Sequence, residues 1–199
     1  MFLLDHLAIV CADLDEGCRW AEARLGVPFQ AGGTHEKYGT HNRLLGLADG
    51  LYLEVIAPNP KAIPHGPRWF GLDDAPSEPR LGNWICQASS LSDYHDIAGP
   101  AVALTRGDLA WNITVPDEGS LPLDGGFPTL IEWGDAGGHP SKHLPDSGLC
   151  LMELCVMTPD AERVTMSADT FDPRVKIVSA PKVALQARFK SPRGMVVLG

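Results

Sequence analysis

His6 and Glu54 stand on two apolar runs 48 residues apart, and Asn83 and Glu132 repeat that pairing at a separation of 49. An imidazole with carboxylates suits a borderline-to-hard divalent ion such as Zn, Mn, Fe, Ni or Mg. Held by His6, Glu54 and Glu132, such an ion would chelate adjacent oxygens of a small substrate and stabilise an enediolate or alkoxide. Glu54 or Glu132 would then serve catalysis by moving the proton. The other reading is structural: His6 hydrogen-bonds Glu54 with nothing between them, and Glu132 lies in solvent.

Further polar residues are candidates for touching a substrate. His41 lies in Gly39-Thr40-His41-Asn42, where it contacts substrate or where Thr40 and Asn42 simply build a turn. Arg106 and Trp111 flank Gly107-Asp108; a guanidinium and an indole suit an anionic or flat ligand, unless Arg106 only pairs with Asp108. His139 sits in a glycine-rich connection that either folds over the site as a lid or stays in solvent. There is no Walker motif, no GxGxxG, no HExxH and no GxSxG, so no nucleotide cofactor and no serine-hydrolase chemistry are expected.

These side chains need elements to hold them. Residues 3–11 read as a buried strand. Leu7 and Ile9 share one face of it, and His6, Ala8 and Val10 the other. In the run around Glu54, Leu53 and Val55 oppose Tyr52, Glu54 and Ile56. If the larger aliphatics pack beneath a helix, His6 and Glu54 face one cavity. Asp13, with Glu16 three residues on, starts that helix; Leu14, Cys18, Ala21 and Leu25 recur at helical spacing, and Gly26 ends it. Strands follow at about 28–38, 44–48 (reaching back to about 40) and 51–57, the last two joined by Asp49-Gly50.

The order then recurs. Residues 84–88 are a strand, 92–97 a short helix, and 101–105, 110–115 and 128–133 three strands. A third round begins with a strand at 149–157 and a helix opening at Thr158-Pro159-Asp160, then runs through strands at 175–179, 183–189 and 195–198. His6, Asn83 and Glu153 each precede Asp13, Ser90 and Asp160 by seven residues. In the third round Arg188 is the best counterpart of Glu54, only 35 residues after Glu153. Glu153 and Arg188 either join the site or form an ion pair of their own. Residues 58–82, with six prolines and an exposed-looking Arg68-Trp69-Phe70, and residues 134–148 read as connections over the surface.

His6-Leu7-Ala8-Ile9-Val10 with Asp13-Leu14, the Gly39–Asn42 turn, Tyr52-Leu53-Glu54-Val55-Ile56-Ala57-Pro58, Arg68–Leu72, Arg106–Trp111, Pro128–Trp133 and His139-Pro140 together resemble the glyoxalase-like domain proteins of the vicinal oxygen chelate superfamily. The resemblance implies an α+β fold of repeated βαβββ modules forming a cupped mixed sheet. It also implies a divalent metal held by a first-strand His and a last-strand Glu from each module. His6 and Glu54 fit the first half and Glu132 the second, but Asn83 stands where a second His is expected. On this reading residues 1–134 form the cup from paired modules (1–58 and 82–134), and residues 148–199 are a third, abbreviated β-rich module packed against them.

The chain of 199 residues carries a formal charge of -9, which disfavours nucleic acid and anionic membrane surfaces. No apolar run is long enough to span a membrane or to form a signal-peptide core, so a cytoplasmic protein is expected. Five cysteines without a CxxC pair read as reduced, buried small hydrophobes. A small-molecule ligand is the expected partner, and cup edges of this kind leave room for a homodimer. Two functions fit: a metal-dependent lyase, isomerase or dioxygenase, which Glu54 beside His6 favours, or a non-catalytic sequestering protein without metal, which Asn83 favours.

Overall fold

The N-terminal run forms β1 (Leu3–Val10), buried on both faces because it lies in the middle of a sheet covered on each side. This computed structural model describes residues 1–135, 137–168 and 170–199. Helix α1 (Leu14–Leu25) is capped as the sequence predicts: the Asp13 carboxylate accepts from the Glu16 amide, and Gly26 ends it with a left-handed φ of 77°. Its buried stripe of Leu14, Cys18, Ala21 and Leu25 packs on the sheet. Gly17 permits the close approach, since a Cβ there would lie 2.4 Å from Cys11 Sγ and 2.8 Å from Val55 Cγ1. Strands β2 (Gln30–His35), β3 (Thr40–Gly46) and β4 (Tyr52–Pro58) complete the first module.

The second module repeats the order with β5 (Arg80–Gln87), a helical turn at Ser92–Tyr94 running into α2 (His95–Ala98), then β6 (Ala101–Arg106), β7 (Leu109–Thr114) and β8 (Thr129–Trp133). The eight strands form one sheet in the order β2-β3-β4-β1-β5-β8-β7-β6. At its centre β1 and β5 run antiparallel, pairing His6 with Ile85 and Ala8 with Asn83. That exchange is what a two-fold relation requires if His6 is equivalent to Asn83 and Ala8 to Ile85. Glu54 lies opposite Ala8, and Thr129 lies opposite Ile85. The register therefore makes Thr129, not Glu132, the counterpart of Glu54. Counting residues between strand starts missed this because the loops of the two modules differ in length.

The third round supplies β9 (Cys150–Thr158), α3 (Ala161–Met166), β10 (Val175–Ser179), β11 (Ala184–Ser191) and β12 (Gly194–Leu198). They make a separate four-stranded sheet ordered β10-β9-β11-β12. Helix α3 starts after Asp160, which takes the N-cap position, so Pro159 precedes the helix instead of opening it. Arg188 lies opposite Glu153, and Glu153 pairs with Lys176 at 2.5 Å and with Arg188 at 3.9 Å. Both residues are thus engaged within this sheet.

Two apolar cores lie on the two faces of the large sheet. Leu7, Ile9, Leu53, Val55 and Trp84 face α1 and the small sheet, where Leu154, Val156 and Phe189 meet them. Ala8, Val10, Ile56, Ile85, Ile113 and Ile131 face the other way, into the cup. Residues 58–82 depart from expectation. Trp69 and Phe70 are only 3% and 6% exposed, because the helical turn Trp69–Asp74 folds into the cup. Trp69 donates to Thr40 Oγ1 and is stacked between Tyr38 and Phe70, with Phe70 held at φ 59°. Cys11, Cys18 and Cys86 are buried and free, whereas Cys150 and Cys155 are half-buried. Among the described residues no helix is long and apolar enough to cross a membrane.

Candidate functional site

The floor of the cup is built around a bulge. Strand β1 slips against β5 between Leu4 and His6, and Asp5 occupies the irregularity. Strict alternation would send Asp5 and His6 to opposite faces, but here the two side chains meet. The fully buried Asp5 carboxylate accepts from His6 Nδ1 at 2.6 Å on Oδ1. Its Oδ2 accepts from Gln87 Nε2 at 2.7 Å, Trp133 Nε1 at 2.9 Å and His139 Nε2 at 3.0 Å. The His139 Nδ1 atom accepts from the Ser141 amide, which leaves the proton on Nε2 facing Asp5.

On the far side of the ring, His6 Nε2 faces Glu54 Oε2 at 3.7 Å, an ion-pair distance but too long for a hydrogen bond. The imidazole also stacks on Tyr52, with centroids 4.3 Å apart and planes 14° from parallel. Glu54 Oε1 accepts from Asn42 Nδ2. Burial alone would make His6 neutral, yet the hydrogen bond to Asp5 and then the facing Glu54 raise its pKa to about 9, so His6 is an imidazolium. Burial likewise opposes ionisation of Asp5. The hydrogen bonds from His139 and His6 outweigh it and hold the carboxyl well below its usual range. Glu54 is lowered too: burial pushes it up, and the facing His6 more than offsets that. The floor is therefore a buried string of alternating charge, Asp5⁻, His6⁺, Glu54⁻.

Above this string lies the rim. Asn42 Oδ1 accepts from the Gly33 amide at 2.7 Å and from Arg106 Nη1 at 3.4 Å. Arg106 Nη1 also donates to His35 Nε2 at 3.3 Å, which places the His35 proton on Nδ1, donating to Thr40 Oγ1. Burial, with Arg106 nearby, lowers the His35 pKa to about 4 and keeps the ring neutral. The guanidinium lies 6.0 Å above the Trp111 ring. A cavity of about 30 Å³ remains over the floor, walled by Tyr52, Trp69, Phe70, Ile131 and Trp133. It shares His35, Arg106 and Trp111 with an outer groove of about 490 Å³ between β2 and β6, the two edges of the sheet.

Five of the expected site residues thus come together: His6, Glu54, Arg106, Trp111 and His139. Two do not. Glu132 is exposed opposite Asn112 on β8, because alternation gives the cup to Ile131 and Trp133. His41 is half-buried on the other face of β3, beside Asp13, Asp15 and Arg43; its neighbour Asn42 takes the cup position. Asn83 is fully buried and occupied, donating to Thr129 Oγ1 and accepting from the Trp84 amide. Arg106 does not pair with Asp108. Asp5, His35, Asn42 and Tyr52 are further members of the site. Alternation had already put Tyr52 on the face of Glu54, and Asn42 takes the cup because it lies on the opposite face of β3 from His41. No pattern in the sequence marks the bulge that turns Asp5 inward.

The family profile described as glyoxalase-like domain matches residues 4–170. The chain belongs to the glyoxalase-like domain family. This glyoxalase-like chain is also similar to methylmalonyl-CoA epimerase from Mycobacterium tuberculosis, at 18% identity and a TM-score of 0.40, over 65% of this chain and 85% of that one. A Streptomyces coelicolor methylmalonyl-CoA epimerase in complex with 2-nitronate-propionyl-CoA shows 18% identity and a TM-score of 0.40, over 64% and 94%. No curated protein sequence matches the glyoxalase-like chain.

The superfamily resemblance implies a divalent metal, and the donor set can be tested against one. Among the described residues no three His, Cys, Asp or Glu side chains converge as ligands. The first module offers His6 Nε2 and Glu54 toward the cavity, and the second offers Asn83 and Thr129, bonded to each other, with Ile85 and Ile131 toward the cup. The Arg106 guanidinium, which lines the same cavity, also repels a cation. These residues do not fit a resident divalent ion. Stoichiometric Zn²⁺ or millimolar Mn²⁺ is accordingly expected to leave the melting temperature within about 1 °C of the chelator-treated protein. A clear rise that vanishes in His6→Ala would restore the metal assignment.

Proposed function

We propose that the cup binds a small oxygenated molecule and that the His6–Glu54 pair moves a proton on it, an isomerase- or lyase-type activity without a metal. The observation that supports this reading is the buried Asp5–His6–Glu54 string beneath a cavity that adjoins the outer groove. Three buried charges are a poor way to stabilise a fold, and such groups gather where chemistry needs them. A ligand carbonyl oxygen entering beside His6 would accept from Nε2–H and separate it from Glu54. Glu54 Oε2, released from the ion pair, then takes a proton from the neighbouring carbon. The C–H electrons pass to the oxygen, where His6 stabilises the enolate, and return of the proton to carbon gives the product.

Sequestration without chemistry is the second reading. It is favoured by the lowered pKa of Glu54, which makes it a weak base while His6 stays in place. Deuterium uptake separates the two. Small hydroxy- and oxo-compounds that raise the melting temperature are incubated with protein in D₂O and followed by proton NMR. Loss of a C–H signal that slows by about 10²–10⁴ in Glu54→Gln is expected. Tight binding with no exchange would establish the sequestering reading instead.

A further inference from the structure

Arg106 is a half-buried cation whose acceptors among the described residues are neutral: His35 Nε2 and Asn42 Oδ1, both reached through Nη1. Among the described residues no carboxylate lies within ion-pair distance of it, and its Nε and Nη2 atoms make no hydrogen bond. The nearest carboxylate along the hydrogen-bond chain is Glu54, and Asn42 stands between them. A guanidinium held in place with one edge of its fork free is preorganised for a planar anion. We infer that Arg106 docks a ligand carboxylate, and that the cup takes a 2-hydroxy or 2-oxo carboxylic acid. This rests on the cup-binding reading and names its ligand class.

The two cavities set the ligand's orientation. The inner space of about 30 Å³ admits one oxygen-bearing group, on the scale of a water molecule. The outer groove of about 490 Å³ takes the rest of the molecule along Thr34, Ala103 and Thr105, with Glu36 and Lys37 its other charged lining groups. The carboxylate therefore sits at the junction on Arg106, the 2-oxygen reaches inward toward His6 and Glu54, and the substituent lies between β2 and β6. Trp111 beneath the guanidinium gives an unsaturated substituent a flat surface.

Lactate, pyruvate and mandelate, with the matched neutral lactamide and mandelamide, test this by saturation-transfer NMR and thermal shift on the full chain. The acids are expected to bind at least about tenfold more tightly than the amides. Arg106→Gln should erase that preference, and Arg106→Lys should keep part of it. Amides binding as well as acids, or an acid preference that survives Arg106→Gln, would overturn the assignment and leave the cup-binding reading standing. Absence of binding by every probe would overturn both. The melting curve of each ligand-free variant checks that the loss is not one of folding.

Discussion

Asp5→Ala is expected to lower the free energy of unfolding by roughly 3–5 kcal/mol, the loss typical of stranding one member of a buried ion pair. The carboxylate takes four side-chain donors, and without it the His6 imidazolium and the Gln87, Trp133 and His139 donors all face a cavity. Asp5→Asn separates charge from shape. It keeps the volume but removes the strongest support of the His6 charge, so burial prevails and the His6 pKa should fall from about 9 to below its ordinary value of 6.5. Urea unfolding and a histidine NMR titration measure the two effects. An Asp5→Ala protein within 1 kcal/mol of wild type would show that the string contributes nothing to stability.

Stability should peak near pH 6.5 and fall on both sides. His6 has a folded pKa raised from 6.5 to about 9, so its contribution is complete below 6.5 and is lost as pH climbs through 9. That shift corresponds to about 3 kcal/mol. His35 acts in the opposite sense. Its folded pKa is depressed to about 4, so the unfolded chain binds the extra proton and stability is lost as pH falls from 6.5 toward 4. Asp5 and Glu54, both depressed, add to the acid-side loss once pH drops below their unfolded values of 3.8 and 4.5. The His6 and Asp5 shifts describe one interaction seen from its two partners, so they do not add. Urea midpoints at pH 5, 6.5 and 9 should trace the dome, and His6→Gln should flatten its alkaline side. A wild-type profile that stays level from pH 6.5 to 9.5 would contradict the imidazolium assignment.

The strand periods and the Asp13 cap were legible in the sequence because they are local. They place Leu7, Ile9, Leu53 and Val55 under α1, and hence His6 and Glu54 in the cup. The equivalence of His6 and Asn83 was legible too, since the seven-residue spacing to Asp13 and to Ser90 measures one strand and its turn. Features that depend on pairing between distant strands were not. Glu132 and Thr129 compete for one position, and the parallel register of β5 with β8 decides between them. Asp5 needs a slip against β5 to reach the cup, and His35 needs the opposite sheet edge to bring Arg106 across. Trp69 and Phe70 were hidden by proline-rich surroundings. A segment without periodicity can still be anchored inward by one hydrogen bond and two aromatic stacks.

Trp69 and Phe70 belong to the joint between the modules, not to either repeat. An architecture of two equivalent halves invites the idea that each half carries its own share of the site and could be lifted out or exchanged. Here the hinge of the diptych has become part of the picture. Two modules supplied as separate peptides, without the connection between β4 and β5, could restore every strand pairing of the eight-stranded sheet and still lack the wall that the joint holds against Tyr38 and Thr40. Divergence within the family therefore has a third place to act besides the two repeats. The length and aromatic content of this bridge can reshape the pocket while the sheet beneath it stays the same.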